Sequence, residues 1–392
     1  MSHSGISTRA VHAGDPAAQP GAPVVNPIVP SSTFYSDPHG GHGEVLYTRY
    51  MNGPNHLALA ERLAALDGGD DAIPLASGMA AMACALLSCL QSGDHVVATH
   101  AIYGGTRVLL ERELSRLGIA TTFVDLTAAG WERAFRPETR VVLGESPSNP
   151  LLRVLNLRAI SDAAHERDAV VIVDATFASP INLRPLEHGV DLVMHSATKY
   201  LGGHSDVTAG VLVGSDARIA AVRERARVWG PLLDPHACWL LERGIKTLAL
   251  RMERHNTNGM AIARWAEAEP GIARVHYPGL ASHPDHDLAA RVLDGFGGML
   301  GIEVEGGGEA ATRFARALRL AKLAPSLGGV ETLVSEPRHT SHAAMTPDDR
   351  AANGIRDGFV RVSLGIEDPE DLIADFAQAL QAAGATVVSA SA

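Results

Sequence analysis

The sequence predicts an α/β protein with a mostly parallel sheet in a larger domain, followed by a smaller α+β domain. Three observations carry this. Apolar, β-branched runs alternate with helical stretches between about residues 70 and 215, and such alternation builds parallel sheets covered on both faces. Beyond a long helical stretch starting at Pro235, the pattern changes to the strand-like runs RVHYPG, MLGIEVEG and FVRVSLG, with helices near 310–318 and 369–383. The length, 392 residues, exceeds one ordinary core and suits two domains. The expected division is an N-terminal arm over 1–60, a large domain over 61–255 and a small domain over 256–392.

Residues 1–60 are rich in Pro, Gly and Ser and lack a clear helical period. So long an irregular start is either disordered or lies on another subunit. Its aromatic residues Phe34, Tyr35, Tyr47 and Tyr50 favour the second. The pattern LALAERLAALD, within His56–Asp67, is an amphipathic helix ended by Gly68-Gly69. A strand over Ala72–Leu75, the turn Ala76-Ser77-Gly78-Met79 and a helix over Ala80–Gln91 follow. A strand feeding a Gly-containing turn at a helix N-terminus is a ready anion site, or an ordinary βα turn. HVVAT is the next strand, Tyr103–Leu117 a helix, and TTFVDL and RVVLGES two more strands, the second ending at Pro147-Ser148-Asn149-Pro150. Ile160–Arg167 is helical. VVIVDATFAS then gives a buried strand ending on Asp174, and Asp191–Met194 a short strand leading into Ser196-Ala197-Thr198-Lys199. VTAGVLVGS is a further strand, and Pro235 to about Ala268 reads as one long helix or a broken pair.

A net charge of −11 argues against nucleic acid or an anionic membrane as partner. Cys84, Cys89 and Cys238 have neither metal nor CxxC spacing and read as small buried residues in a reducing compartment. The start MSHSGISTRAVHAGD has no apolar signal region and no run approaches a membrane span, so a cytoplasmic location is expected. His283-Pro284-Asp285-His286 and His339-Thr340-Ser341-His342 have suggestive spacing. A zinc site needs three or four ligands, and no third is positioned, so no metal is expected. His339 or His342 is instead a candidate to face a substrate pocket.

Ser77, Tyr103, Asn149, Asp174 and Lys199 all fall at or just after the carboxyl ends of strands, where open α/β sheets bind ligands. Hydroxyls and turn N–H groups beside Lys199 suit a phosphate, its amine suits an aldehyde, and Asp174 suits a ring nitrogen. Pyridoxal 5′-phosphate (PLP) needs all three. Taken singly, each has a plainer reading. Lys199 is then a solvated loop residue, Tyr103 a core aromatic capping its helix, and Asn149 a turn former, since Asn-Pro favours turns. Arg361, inside the apolar run FVRVSLG, is costly unless paired, and its fork suits a carboxylate bidentately.

The unbroken run from Asp191 through Ser196, Thr198, Lys199, Tyr200 and Gly202 to Gly203-His204-Ser205 resembles the attachment signature of the PLP-dependent Cys/Met metabolism enzymes. These are the cystathionine γ-synthase, cystathionine γ-lyase and methionine γ-lyase family. The resemblance implies the type I fold of PLP-dependent transferases, with a sheet of seven strands in the large domain. It implies Lys199 as the Schiff-base lysine and proton shuttle, and Asp174 as the partner of the ring nitrogen. Tyr103 would stack on the cofactor ring and protonate a leaving group. Gly78, Met79, Ser196 and Thr198 would hold the phosphate. Tyr47 and Arg49, in LYTRY, would reach the phosphate of a neighbouring subunit within a homotetramer built as a dimer of dimers. Asn149, Ser326 and Arg361 would surround the ring oxygen and the substrate carboxylate.

The activity so implied is γ-elimination on a γ-substituted L-amino acid such as methionine, cystathionine or another homoserine derivative. γ-Replacement on an O-acylhomoserine and γ-cleavage of canavanine to homoserine use the same residues. A PLP-binding regulatory protein without catalysis, and an aldolase or aminotransferase of the same fold, are the readings from other classes. Three positions depart from the family pattern. Asn52-Gly53-Pro54-Asn55 stands where Asn-Pro-Thr is usual. Pro325 stands where cystathionine enzymes carry a Glu for the distal amine, and Gly105 where methionine γ-lyases have a Cys.

Overall fold

The computed structural model describes residues 4–36, 46–340, 343 and 345–384. Seven strands form the larger sheet: β1 (Asp71–Leu75), β2 (His95–Thr99), β3 (Ala120–Val124), β4 (Thr139–Glu145), β5 (Val170–Asp174), β6 (Leu192–His195) and β7 (Gly210–Gly214). Their spatial order is β1-β7-β6-β5-β4-β2-β3. The pairings from β6 through β3 are parallel, and β7 runs antiparallel to both its neighbours. The β-branched runs HVVAT, VVIVD and GVLVG are buried along their whole length, as strands covered on both faces must be. Successive residues point to opposite faces. Ile73, Val96, Leu143, Ile172 and Leu212 join one core, under helices Gly78–Cys89 and Asp216–Trp229, while Val97, Val142, Val171 and Val193 join another, under Leu157–His165.

Five strands form the smaller sheet: β8 (Ile272–His276), β9 (Met299–Val304), β10 (Lys322–Leu323), β11 (Leu333–Ser335) and β12 (Phe359–Ser363), in the order β10-β11-β12-β9-β8. Helices Leu248–Ala268, Gly307–Ala317 and Pro369–Ala382 supply the core on one face of it. Val360 and Val362 of the central strand β12 enter that core, so Arg361 between them takes the other face.

Two elements differ from their expected forms, and the structure decides between the two forms expected of a third. The irregular start contains a short helix, Ile6–His12, whose last carbonyls lack partners within the helix. The buried Arg62 supplies them, donating from Nη1 to the carbonyls of Ala10 and Val11 at 2.6 Å each and from Nη2 to Asp15 at 2.8 Å. The stretch after Tyr103 is an α-helix only over Gly104–Val108 and a π-helical turn over Leu109–Leu114. The helical stretch after Pro235 is the broken pair, Pro235–Ile245 and Leu248–Ala268. Arg251 fills the break, donating to the carbonyl of Gly244 at 2.7 Å and from Nε to Thr247 Oγ1 at 3.0 Å. Cys84 and Cys238 are buried and Cys89 half-buried. Among the described residues no helix is long and apolar enough to cross a membrane.

Candidate active site

A cavity of about 590 Å³ opens at the carboxyl ends of β2, β4, β5 and β6, closed over by the smaller sheet. Gly78, Met79, Tyr103, Asn149, Asp174, Ser196, Thr198, Lys199, Ser326 and Arg361 all line it. The connections that follow the strands deliver them. β1 leads into the turn at Ser77, whose hydroxyl caps the next helix by accepting from Ala80 N at 3.1 Å. The first N–H groups of that helix have no acceptor within it and open on the cavity wall. A side chain at Gly78 would put its Cβ 2.8 Å from that of Ser196, so only glycine lets these two turns close on each other.

Asp174 ends β5 and Lys199 follows β6. Asp174 is buried and accepts from Thr176 N through Oδ1 at 2.9 Å. Burial raises its carboxyl above the ordinary value, and the bonds from Thr176 and the charge of His195 only partly offset this. Thr176 Oγ1 accepts from Ser196 N at 2.8 Å, which fastens the strand bearing Asp174 to the turn before Lys199. Beneath them His195 and Asp67 form a fully buried pair at 3.0 Å. Burial opposes charge on the imidazole, but Asp67 outweighs it and moves the His195 pKa up.

Lys199 Nζ donates to Ser326 Oγ at 2.7 Å. Burial, and then the nearby Arg361 charge, bring its ammonium down to about 8. A lysine so placed is a nucleophile near neutral pH. Ser326 holds a left-handed backbone, φ 90°, a conformation that costs a non-glycine residue about 1–3 kcal/mol. Its carbonyl accepts from Arg361 Nη2 at 3.1 Å, and Arg361 Nη1 donates to Asn149 Oδ1 at 3.2 Å. Arg361 is buried, which brings its guanidinium down to about 10, still charged at neutral pH. The remaining wall includes Phe177, Met194, Leu327 and Pro325 and is mainly apolar.

The residues present fit PLP. A buried carboxylate on the wall, a shielded amine and a helix start at a glycine occupy one cavity, and each matches one part of that molecule. Tyr103, 44% exposed, stands at the mouth. A Cβ on Gly105 would lie 2.5 Å from the Tyr103 ring, so the ring's position requires glycine there.

Tyr47 and Arg49 do not reach this cavity within one chain. Arg49 donates to the carbonyl of Arg227 at 2.6 Å and lies against the rings of Tyr47 and Tyr50. His339 also stands outside the main cavity. The tight turn Pro337–His339 carries it to 4.0 Å from Glu336 and into a neighbouring space, while the next residue, Thr340, lines the main one. His342 lies outside the described residues. His283 and His286 bond to the carbonyls of Leu151 and Pro278, and among the described residues no three metal-ligand side chains are grouped.

Sequence reasoning missed Glu145 and Thr176, both in the lining. Glu145 ends β4 as Asp174 ends β5, and that parallel was the available signal. It is buried, with Oε2 accepting from Tyr103 N at 2.8 Å and Oε1 from Asn149 N at 2.9 Å. Burial, and then the Asp174 charge, push its carboxyl well above the usual range.

Known proteins resemble this chain over nearly its whole length. The profile of the Cys/Met metabolism PLP-dependent enzymes matches residues 7–381. The chain is 40% identical to the L-methionine γ-lyase of Pseudomonas putida, covering 96% of this chain and 98% of that protein. It is 41% identical to the O-succinylhomoserine sulfhydrylase of Pseudomonas aeruginosa, covering 87% and 85%. The crystal structure of cystathionine γ-synthase from Xanthomonas oryzae pv. oryzae superposes with a TM-score of 0.93 at 41% identity, covering 98% of this chain and all of that one. A match that spans nearly the whole chain, on the fold and the cavity just described, makes this protein a member of the Cys/Met metabolism family of PLP-dependent enzymes.

Proposed function

We propose that this enzyme carries out γ-elimination on an L-amino acid bearing a leaving group at Cγ. The observation that carries the reading is the amine of Lys199, shielded and near neutrality, in one cavity with Asp174 and Arg361. PLP, when bound, acts as an electron sink that makes the substrate's Cα and Cβ hydrogens removable. Lys199 would hold the cofactor's aldehyde, and its amine when free would move those protons. Asp174 would keep the ring nitrogen charged, and Gly78, Met79, Ser196 and Thr198 would hold the phosphate. Arg361, presented by Asn149 and Ser326, takes the substrate carboxylate in a two-point grip. Tyr103 would stand over the ring and protonate the departing group at the mouth. Products are the protonated leaving group, a 2-oxo acid and ammonia, with one water consumed.

The apolar wall with Pro325 favours a small uncharged leaving group over a second amino-acid head, which would need a partner for its amine. γ-Replacement is the second reading, supported by the sulfhydrylase among the relatives. In the same reading Tyr47 and Arg49 serve a neighbouring subunit, the arm, large and small domains divide near residues 60 and 255, and the enzyme works in the cytoplasm as a tetramer.

Proton NMR of product mixtures decides the reaction. The loaded enzyme would receive methionine, cystathionine, O-acetylhomoserine, O-succinylhomoserine and canavanine, each with and without a thiol. 2-Oxobutyrate regardless of thiol is the expected result. A new thioether, or homoserine from canavanine, replaces the elimination reading.

A further inference from the structure

Glu145 sits on the cavity wall and the chemistry above gives it no task. Its strand neighbour is Asp174, directly opposite in the β4–β5 register. Two acids side by side in a buried wall are expensive, and an apolar side chain of similar size would fill the space at less cost. What an apolar side chain lacks is acceptors. Each Glu145 oxygen takes one main-chain N–H, and the two come from different connections: Tyr103 after β2 and Asn149 after β4. Asn149 in turn presents Arg361. One carboxyl group thus stands between the aromatic residue at the mouth and the guanidinium at the back.

We propose that Glu145 is a positioning residue, which sets the Tyr103 ring and the Asn149–Arg361 pair at a fixed separation so that ring and carboxylate grip engage one substrate together. The proposal rests on the roles given to Tyr103 and Arg361 above. Glu145→Gln keeps the size of the side chain and changes its hydrogen bonding. An amide has one acceptor, and its NH₂ would face the second N–H donor.

The test uses the full-length, cofactor-loaded enzyme with the best substrate from the NMR panel. Steady-state kinetics, visible circular dichroism of the bound cofactor and the thermal midpoint would be compared for wild type, Glu145→Gln and Glu145→Asp. Asp keeps both acceptors but retracts them by one methylene. The expected result is full cofactor content, a midpoint within a few degrees of wild type, a KM raised about tenfold, and an altered visible dichroism, since the ring against the cofactor has turned. In a Tyr103→Ala background the Glu145→Gln effect should shrink by the part that acts through the ring, leaving the part that acts through Asn149 and Arg361. Wild-type kinetics and dichroism in Glu145→Gln overturn the proposal. So do a full-sized effect in the Tyr103→Ala background and failure of both Glu145 variants to fold, which would make the residue a folding determinant. A wild-type chain that takes up no cofactor sinks the reading of the site, whereas a loaded wild type indistinguishable from Glu145→Gln sinks the Glu145 assignment alone.

Discussion

An amine adds to an aldehyde only when unprotonated, so the Lys199 value of about 8 has a direct kinetic consequence. Cofactor attachment to the apoprotein should speed up with pH and level off above about pH 8. Stopped-flow absorbance reads this, and a midpoint near the ordinary lysine value of 10.5 would show that the amine is not shielded. The same shift bears on stability. The folded pKa lies below the unfolded one, so between about 8 and 10.5 the folded apoprotein binds fewer protons and gains stability as pH rises. At Arg361 the prediction concerns shape. Arg361→Lys keeps a charge but loses the bonds to Asn149 and Ser326 and the planar fork. KM for the amino-acid substrate should rise about 100-fold with cofactor content unchanged, the size expected when a buried charged contact is broken. An unchanged KM would place the substrate carboxylate elsewhere. Residues whose own chemistry is unusual for their setting, such as Lys199, Asp174 and Arg361, were legible in the sequence. Glu145 was not, because its partners are main-chain N–H groups, and one of them arrives from the connection after another strand.

The strand–turn–helix around Ser77 is the element on which phosphate affinity depends in the proposed reading. Gly78→Ala would force Ser196 away, since the new Cβ lies 2.8 Å from that of Ser196. Dialysis against buffer should strip cofactor from this variant at least tenfold faster than from wild type, while far-UV dichroism stays native. Retention equal to wild type would move the phosphate to another wall. Ser77→Ala, which removes only the cap, should cost about 1 kcal/mol in urea unfolding. Central strands were easy to read because burial on both faces demands continuous apolar runs, as in VVIVD. The helix Ile6–His12 escaped because Arg62, not its own sequence, satisfies its end. The π-helical turn at Leu109–Leu114 left no mark in a periodicity that an α-helix shares.

Across the whole molecule, the base of the arm is pinned to its own subunit. Arg62, Lys246 and Glu242 hold Asp15 and Asn26, while Tyr47 and Arg49 stand away from the cavity of their own chain. If Arg49 serves a neighbour, two inactive variants should rescue each other. Lys199→Ala and Arg49→Ala subunits, unfolded together and reassembled, should recover a measurable part of wild-type activity, because mixed pairs contain one intact site. No recovery, with mixed oligomers demonstrated by differential tagging, would confine Arg49 to its own chain. The division into two sheets was legible from the change in pattern after residue 235, but their approach was not, because Arg361 and Ser326 meet Asn149 and Lys199 only in three dimensions. The antiparallel β7 has a consequence for biosynthesis. β1 leaves the ribosome early, yet its sheet neighbour is β7, which follows Lys199 in the chain. A nascent polypeptide long enough to expose the lysine still has no seat for the turn at Ser77, and Arg361 emerges later again. Capture of vitamin B6 is therefore expected to wait until β7 has emerged and taken its place beside β1.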